Sequence, residues 1–199
     1  MNAGKVFLSV IIPSRNRPEL LQRAVASILA QSFNDLEVLI VNDGSDPEAA
    51  SQYRQLAEEH TDWLRLIDLI HYPRGHGPSY VINCGVAQAR GRFLAFLDDD
   101  DEWTDPDHLR KAHDALQALP ETDLYLTNQL AVKVGESQGD VLWLGGLQTV
   151  VERAGIKREG GVYRVGVEQL MGAGGFAHLN TMVVSHDLFD TIGGMDENI

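Results

Sequence analysis

Short β-branched runs alternate with longer segments of helical period along the first half of the chain, and that alternation narrows the fold more than any other feature. It is the pattern of βαβ units, giving an α/β architecture with a Rossmann-like, mainly parallel sheet flanked by helices. Four strands are expected at Val6 to Ile12, Leu36 to Val41, Leu64 to Leu69 and Phe93 to Leu97. Each is nearly continuous in apolar character, as strands covered on both faces should be. Between the first two, Pro18 to Gln31 puts Leu21, Val25, Ile28 and Leu29 on one stripe, with Pro18 in the first turn. Asp46-Pro47 and Asp105-Pro106 read as N-cap and first-turn proline of two more helices, the later one around Leu109, Ala112 and Leu116. Ser79 to Ala89 makes the remaining crossover.

Beyond Pro120 the alternation fades. Leu124 to Thr127 is strand-like, and the Gly-rich stretch from Gly135 to Gly161 carries no assignment. Thr181 to Val184 reads as a strand, and His186 to Ile192 as a short helix closed by Gly193-Gly194. Residues 1–119 are therefore expected to form one half of the domain and 120–199 a smaller C-terminal part.

A chain of 199 residues is long enough to bury a core of its own. Its formal net charge of −13 opposes attraction to nucleic acid or to an anionic membrane surface, so nucleic-acid binding is not expected. The single cysteine, Cys84, offers no internal disulfide and no metal-type spacing, and a reducing, cytoplasmic setting is the simplest reading. The first apolar run is ended by Pro13 and no other approaches the length of a membrane span, so no span is expected.

The strongest chemical feature is Phe96-Leu97-Asp98-Asp99-Asp100-Asp101-Glu102-Trp103, in which an apolar strand runs directly into four aspartates. Ligands of open parallel sheets gather at the carboxyl ends of the strands. Adjacent like charges cost about 1 kcal/mol per pair even in water, so the cluster calls for a cation. Carboxylate oxygens suit Mg²⁺, Mn²⁺ or Ca²⁺, and Mg²⁺ commonly completes its shell with substrate phosphates, as a nucleotide diphosphate would supply. The alternative is a solvated acidic turn leading to the helix at Asp105.

Asp43, in Val41-Asn42-Asp43-Gly44-Ser45, also lies just past a strand end, where a fixed carboxylate can accept a hydrogen bond from a ring N–H and so discriminate among bases. Asn-Asp-Gly-Ser is equally ordinary turn chemistry. Pro13-Ser14-Arg15-Asn16-Arg17-Pro18 brings polar side chains and a helix N-terminus to the same edge, where arginines favour anions. Arg74-Gly75-His76-Gly77-Pro78-Ser79 is glycine-rich but lacks the Gly-Lys-Ser/Thr of a P-loop, and no Gly-x-Gly-x-x-Gly follows the first strand. The seven histidines show no His-Glu-x-x-His spacing and read as solvent or packing residues, and no Gly-x-Ser-x-Gly elbow supports a hydrolase. Trp143 beside Gly145-Gly146, and Gly172 to His178, either line an acceptor pocket or are a core tryptophan and a flexible loop.

Taken in order, the opening strand into Pro13-Ser14-Arg15-Asn16, then Val41 to Ser45, then Ala89 to Trp103, resembles the family 2 glycosyltransferases. Ile192-Gly193-Gly194-Met195-Asp196-Glu197 resembles that family's Gly-Gly-Phe-Asp-Glu segment. The resemblance implies the nucleotide-sugar-binding GT-A type of fold, with an acceptor-facing half. It implies that Asp98-Asp99-Asp100 holds Mn²⁺ or Mg²⁺ on the diphosphate and touches the ribose, with Asp100 as the direct metal ligand and Asp98 beside it. Asp43 would read the nucleobase, while Pro13, Ser14 and Arg15 pack on base and ribose; Arg74 and His76 receive little weight. The activity implied is metal-dependent, inverting transfer from a nucleotide-diphosphate sugar, a UDP-sugar first, to a hydroxyl of a saccharide or lipid-linked acceptor. Such chemistry belongs in the cytoplasm or at the cytoplasmic face of a membrane, with a homodimer left open. The family draws its general base from an acidic motif after the Gly-Gly-Phe-Asp-Glu segment, so that base is expected beyond Ile199. A non-catalytic nucleotide-sugar-binding or partner-binding domain is the alternative, and a sugar-1-phosphate nucleotidyltransferase is a third reading that lacks the expected basic loop.

Overall fold

The computed structural model describes residues 6–132, 141–175 and 177–198. In chain order its elements are β1 (Leu8–Ser14), α1 (Pro18–Leu29), β2 (Leu36–Asn42), α2 (Pro47–Glu59), β3 (Leu64–Asp68), α3 (Pro78–Val86), β4 (Phe93–Phe96), α4 (His108–Ala118), β5 (Leu124–Leu126), β6 (Leu130–Ala131), β7 (Val141–Leu142), α5 (Leu147–Arg153), β8 (Arg158–Glu159), β9 (Val162–Tyr163), α6 (Val167–Gly172), β10 (Met182–Ser185) and α7 (His186–Thr191). They fall into two compact units, the first running to Lys111 and resuming at Val183, the second spanning Ala112–Met182.

In the first unit the strands lie in the order β3-β2-β1-β4-β10. β1, β2, β3 and β4 are parallel, and β10 joins β4 antiparallel with Val183 opposite Ala95. This is the α/β class expected from the alternation. Val10, Ile11, Ile12, Val38, Leu39, Ile40, Val41, Leu94 and Ala95 are all fully buried, the burial that removes both faces of these strands from water. Leu21, Ala24, Val25 and Ile28 form the buried stripe of α1.

β1 runs on through Pro13 to Ser14, two residues further than expected. The Leu97 N–H donates to the Ile11 carbonyl at 3.1 Å, which sets the odd-numbered residues of β1 toward β4. The β1–β4 register ends at Ile11–Phe96, so Pro13 falls past the last β4 partner and its missing N–H leaves no ladder bond unmade. α4 begins at His108, later than Asp105-Pro106 suggested, because the Asp105 carboxylate accepts from Asp107 N and Lys111 Nζ in a preceding turn. The short helix expected at His186 is present as α7; Ser185 caps it by accepting from Leu188 N, and Gly193 and Gly194 close it at φ +85° and +77°.

In the second unit, β6 and β7 pair antiparallel, as do β8 and β9 across Gly160-Gly161, both at positive φ. Leu144, Val151 and Ala173 are buried here. Trp143 is 38% exposed, which corrects the core-tryptophan reading; it meets His178 edge-on at 6.4 Å. Gly146 and Gly175 let Leu144 and Ala173 come together, since a Cβ at either would collide with the facing carbonyl, Ala173 O or Trp143 O. Phe176 and residues 133–140 of the unassigned Gly-rich stretch lie outside the described residues.

Candidate functional site

The carboxyl ends of β1, β2 and β4 lie side by side, so Ser14, Asp43 and the Asp98 to Asp100 run share one edge of the first unit. Asn16 joins two of these ends. It is the one non-glycine residue at positive φ (+57°) among the described residues, a conformation asparagine tolerates better than most. Its amide donates to Ser45 Oγ at 3.0 Å and its Oδ1 accepts from Asp46 N at 2.7 Å, which fastens the β1–α1 loop to the β2–α2 loop. The arginines on either side of it go to different places.

Arg17 goes to the acidic run. Its Nη2 lies 2.7 Å from Asp99 Oδ1 and its Nη1 lies 2.9 Å from Asp100 Oδ2, so one guanidinium bridges two carboxylates. Asp99 is fully buried, whereas Asp100 is 51% exposed. Burial raises the Asp99 pKa above the ordinary carboxylate value, with the Ser14 hydrogen bond and the Arg17 charge pulling it back. Ser14 Oγ donates to Asp99 Oδ2 at 2.6 Å, so Tyr53 O–H donates to Ser14 Oγ across 2.7 Å. Tyr53 Oη in turn accepts from the Arg17 backbone amide at 3.0 Å. This closed chain ties α2, β1 and the acidic turn together, and it employs both Ser14 and Asp99 internally.

Arg15 goes to the other end. Its Nη2 donates to the carbonyls of Tyr72 and Pro73 at 3.0 and 3.1 Å, drawing in the loop before α3. That loop caps Asp43: the His76 amide donates to both carboxylate oxygens at 2.9 and 3.1 Å, and His76 Nδ1 lies 2.6 Å from Oδ1. Gly75 makes this approach possible, since at φ +75° its missing Cβ would fall on Asp43 Oδ2 and within 2.6 Å of Arg15 Nη1. Pro13 sits in β1 opposite Val41 at the same end.

At the far side of α3, Asn83 Nδ2 donates to Met195 O and Glu197 Oε1 at 3.0 and 2.7 Å, and its Oδ1 accepts from Met195 N at 2.9 Å. The Gly-Gly-Met-Asp-Glu turn is thereby fastened to the helix that begins beside His76.

Of the expected residues, the structure brings Ser14, Asp99 and Asp100 into one network and Arg15 and Asp43 to one loop. Tyr53 was not singled out from sequence, because a tyrosine in a helix carries no sign that it meets a strand end 39 residues away. His76, which meets Asp43, carries one signal in the sequence, its place in a glycine-flanked loop. Arg74 makes no described contact with the site.

The donor set at the acidic turn fits a hard divalent ion. Asp98 and Asp100 carry carboxylate oxygens two positions apart, and Asp98 is only partly buried. Among the described residues no group of three or more His, Cys, Asp or Glu side chains is arranged to hold a metal alone, so a shell there needs substrate and water oxygens as well. No helix of the described residues is long and apolar enough to cross a membrane.

The fold is that of GT-A glycosyltransferases. The architecture matches that of Staphylococcus aureus TarS 1–349 in complex with UDP at a TM-score of 0.69 and 20% identity, covering 96% of this chain and 50% of that one. It also matches the mannosyltransferase PcManGT from Pyrobaculum calidifontis, in complex with GDP-Man and Mn²⁺, at a TM-score of 0.66 and 20% identity, over 96% and 48% of the two chains. The glycosyl transferase family 2 model matches residues 9–141, and the chain belongs to that family. Among curated relatives, the succinoglycan biosynthesis protein ExoW of Rhizobium meliloti (strain 1021) is 39% identical over 112 residues, 55% of this chain and 34% of that protein. The chain thus spans about a third of the length of this relative.

Proposed function

We propose that this edge binds a nucleotide-diphosphate sugar, a UDP-sugar first, with Mn²⁺ or Mg²⁺, and serves inverting transfer of the sugar to an acceptor hydroxyl in the synthesis of an envelope polysaccharide. The observation that carries the reading is the divergence of two arginines about left-handed Asn16, one toward Asp43 and one toward Asp99 and Asp100. Cationic groups then stand between a carboxylate able to organise a base and carboxylates able to hold a metal, the order in which a nucleoside diphosphate presents its own parts. The solved neighbours holding UDP, or GDP-Man with Mn²⁺, support it, as does the polysaccharide role in the name of ExoW.

Asp100 and Asp98 would hold the ion, which when bound neutralises charge developing on the departing diphosphate. Asp99, kept in place by Ser14 and Arg17, sets the direction of the turn that carries both ligands. Arg17, half exposed where it meets Asp100, is the cation that would meet an incoming phosphate oxygen. Arg15 holds the Tyr72 to Gly77 loop over the base end. A saccharide or lipid-linked hydroxyl is the acceptor, and none of the residues gathered here is assigned the role of its general base.

Calorimetric titration with UDP, GDP and ADP, each with Mn²⁺ and with chelator, tests this. Metal-dependent binding with preference for one nucleotide is expected, and Asp100→Ala should lose the metal dependence while melting as the parent does. Absence of binding to all three would overturn the donor site; an unchanged metal effect in D100A would overturn the ligand assignment.

A further inference from the structure

Arg17 is fixed at two points and loose at a third. Its backbone amide donates to Tyr53 Oη at 3.0 Å, and its Nη2 lies 2.7 Å from Oδ1 of Asp99, whose side chain has no exposure to solvent. Asp99 is held from its other oxygen by Ser14 Oγ at 2.6 Å, so this anchor cannot follow the guanidinium if it turns. The third contact, from Nη1 to Asp100 Oδ2 at 2.9 Å, is of another kind. Both side chains are about half exposed there, and an ion pair in that setting is weak. Separating Arg17 from Asp99 would strand a buried charge, whereas separating it from Asp100 leaves two groups that water can reach.

Asp100 is also the proposed direct ligand of the divalent ion. A guanidinium on the same carboxylate repels a dication twice as strongly as it repels a single charge, and the ion gains most from oxygens that no other cation holds. The loose arm of Arg17 therefore stands where the ion has to bind, and the fixed arm keeps the guanidinium from leaving.

We propose that Arg17 is an exchangeable countercharge: without metal its Nη1 neutralises Asp100, and with an ion on Asp100 it pivots about Asp99 and donates to a phosphate oxygen of the bound diphosphate. The inference rests on the reading of this edge as a metal and nucleoside-diphosphate site and deepens it. Each ligand then supplies what the other needs. The ion frees Nη1 and the diphosphate gives the freed donor an acceptor, so the two bind with a positive coupling that is the same measured from either side.

Arg17→Lys tests this. A lysine carries one ammonium, which cannot bridge two carboxylates as a guanidinium does, and the buried Asp99 is the partner that cannot be left without a countercharge. Net charge is unchanged while Asp100 is left open. The whole chain, parent and R17K, is titrated with Mn²⁺ at low, constant salt, the free ion being counted by electron paramagnetic resonance, and then with UDP in the presence and absence of Mn²⁺. R17K is expected to bind Mn²⁺ alone about threefold more tightly than the parent, although it has lost a contact, and the gain in UDP affinity that Mn²⁺ brings should be about threefold smaller. Association of the ion with free UDP is common to both proteins and cancels. Mn²⁺ affinity in R17K equal to the parent's or weaker, the result a merely structural arginine would give, overturns the exchange while leaving the metal site standing. Tighter Mn²⁺ binding with an undiminished UDP gain overturns the transfer to phosphate. Failure of the parent to bind Mn²⁺, with UDP or without, overturns both the site and the exchange. A second readout needs no variant: with Mg²⁺ in place of Mn²⁺, the guanidinium ¹⁵N resonances of Arg17 should shift on saturation with the ion. Resonances unmoved at saturation also overturn the proposal.

Discussion

Replacing Arg17 with Gln should destabilise the first unit by an amount that grows with pH. Asp99 is fully buried and, among the described residues, is held by the side chains of Ser14 at 2.6 Å and Arg17 at 2.7 Å. Loss of a charged partner from a buried carboxylate costs roughly 1.5–3 kcal/mol, and the exposure of Arg17, 47%, places the effect toward the lower half, about 2 kcal/mol at neutral pH. The half-exposed contact to Asp100 adds little. Burial holds the Asp99 pKa above its ordinary 3.8, and Arg17 is one of the two groups pulling it back, so R17Q raises it further. A carboxyl whose folded pKa exceeds its unfolded value stabilises the fold below the unfolded value and loses that contribution as pH rises through the folded value. The loss continues to higher pH in the variant than in the parent. Urea unfolding of both proteins at about pH 4.5 and 7.5 should therefore show a small difference in acid and the full difference at neutral pH, equivalent there to a fall in Tm of about 4–8 °C. Equal costs at the two pH values, or no cost at neutral pH, would refute the picture of a buried Asp99 held by Arg17.

Burial depresses the His108 pKa to about 4, so the folded protein resists a proton that the unfolded chain accepts near 6.5; stability should fall as pH drops from 6.5 toward 4, by at most about 3 kcal/mol, and His108→Phe should flatten that part of the pH–stability curve. Gly75→Ala would place a methyl group against Asp43 and Arg15 at φ +75°, and calorimetry should show nucleotide affinity reduced about tenfold or more with circular dichroism unchanged. Asn83→Ala removes the three hydrogen bonds to Met195 and Glu197, and amide exchange should quicken about tenfold at Met195 with no change in β1.

Strand ends and acidic turn were legible in the chain because they depend on local quantities. Apolar runs such as Val38 to Val41 have no polar residue to spare for a solvent face, so they must be covered on both sides. Four aspartates directly after Phe96-Leu97 must emerge at the carboxyl end of whichever strand precedes them. The glycine pair after α7 had to permit a left-handed turn. Boundaries slipped where a distant partner decided them, as at Pro13, whose place in β1 depends on where β4 ends.

Which carboxylate would be buried and which exposed could not be read from Asp98-Asp99-Asp100, since three identical side chains differ only in what they face. Tertiary structure turned Asp99 inward to Ser14 and left Asp100 at the surface. It gave Asp43 a histidine 33 residues later as its partner, and brought Tyr53 from α2 to the end of β1. Such pairings depend on strand order and loop path, which place groups far apart in the chain within hydrogen-bond reach; hydrophobic period and turn chemistry specify the elements that carry those groups but not their neighbours across the sheet edge.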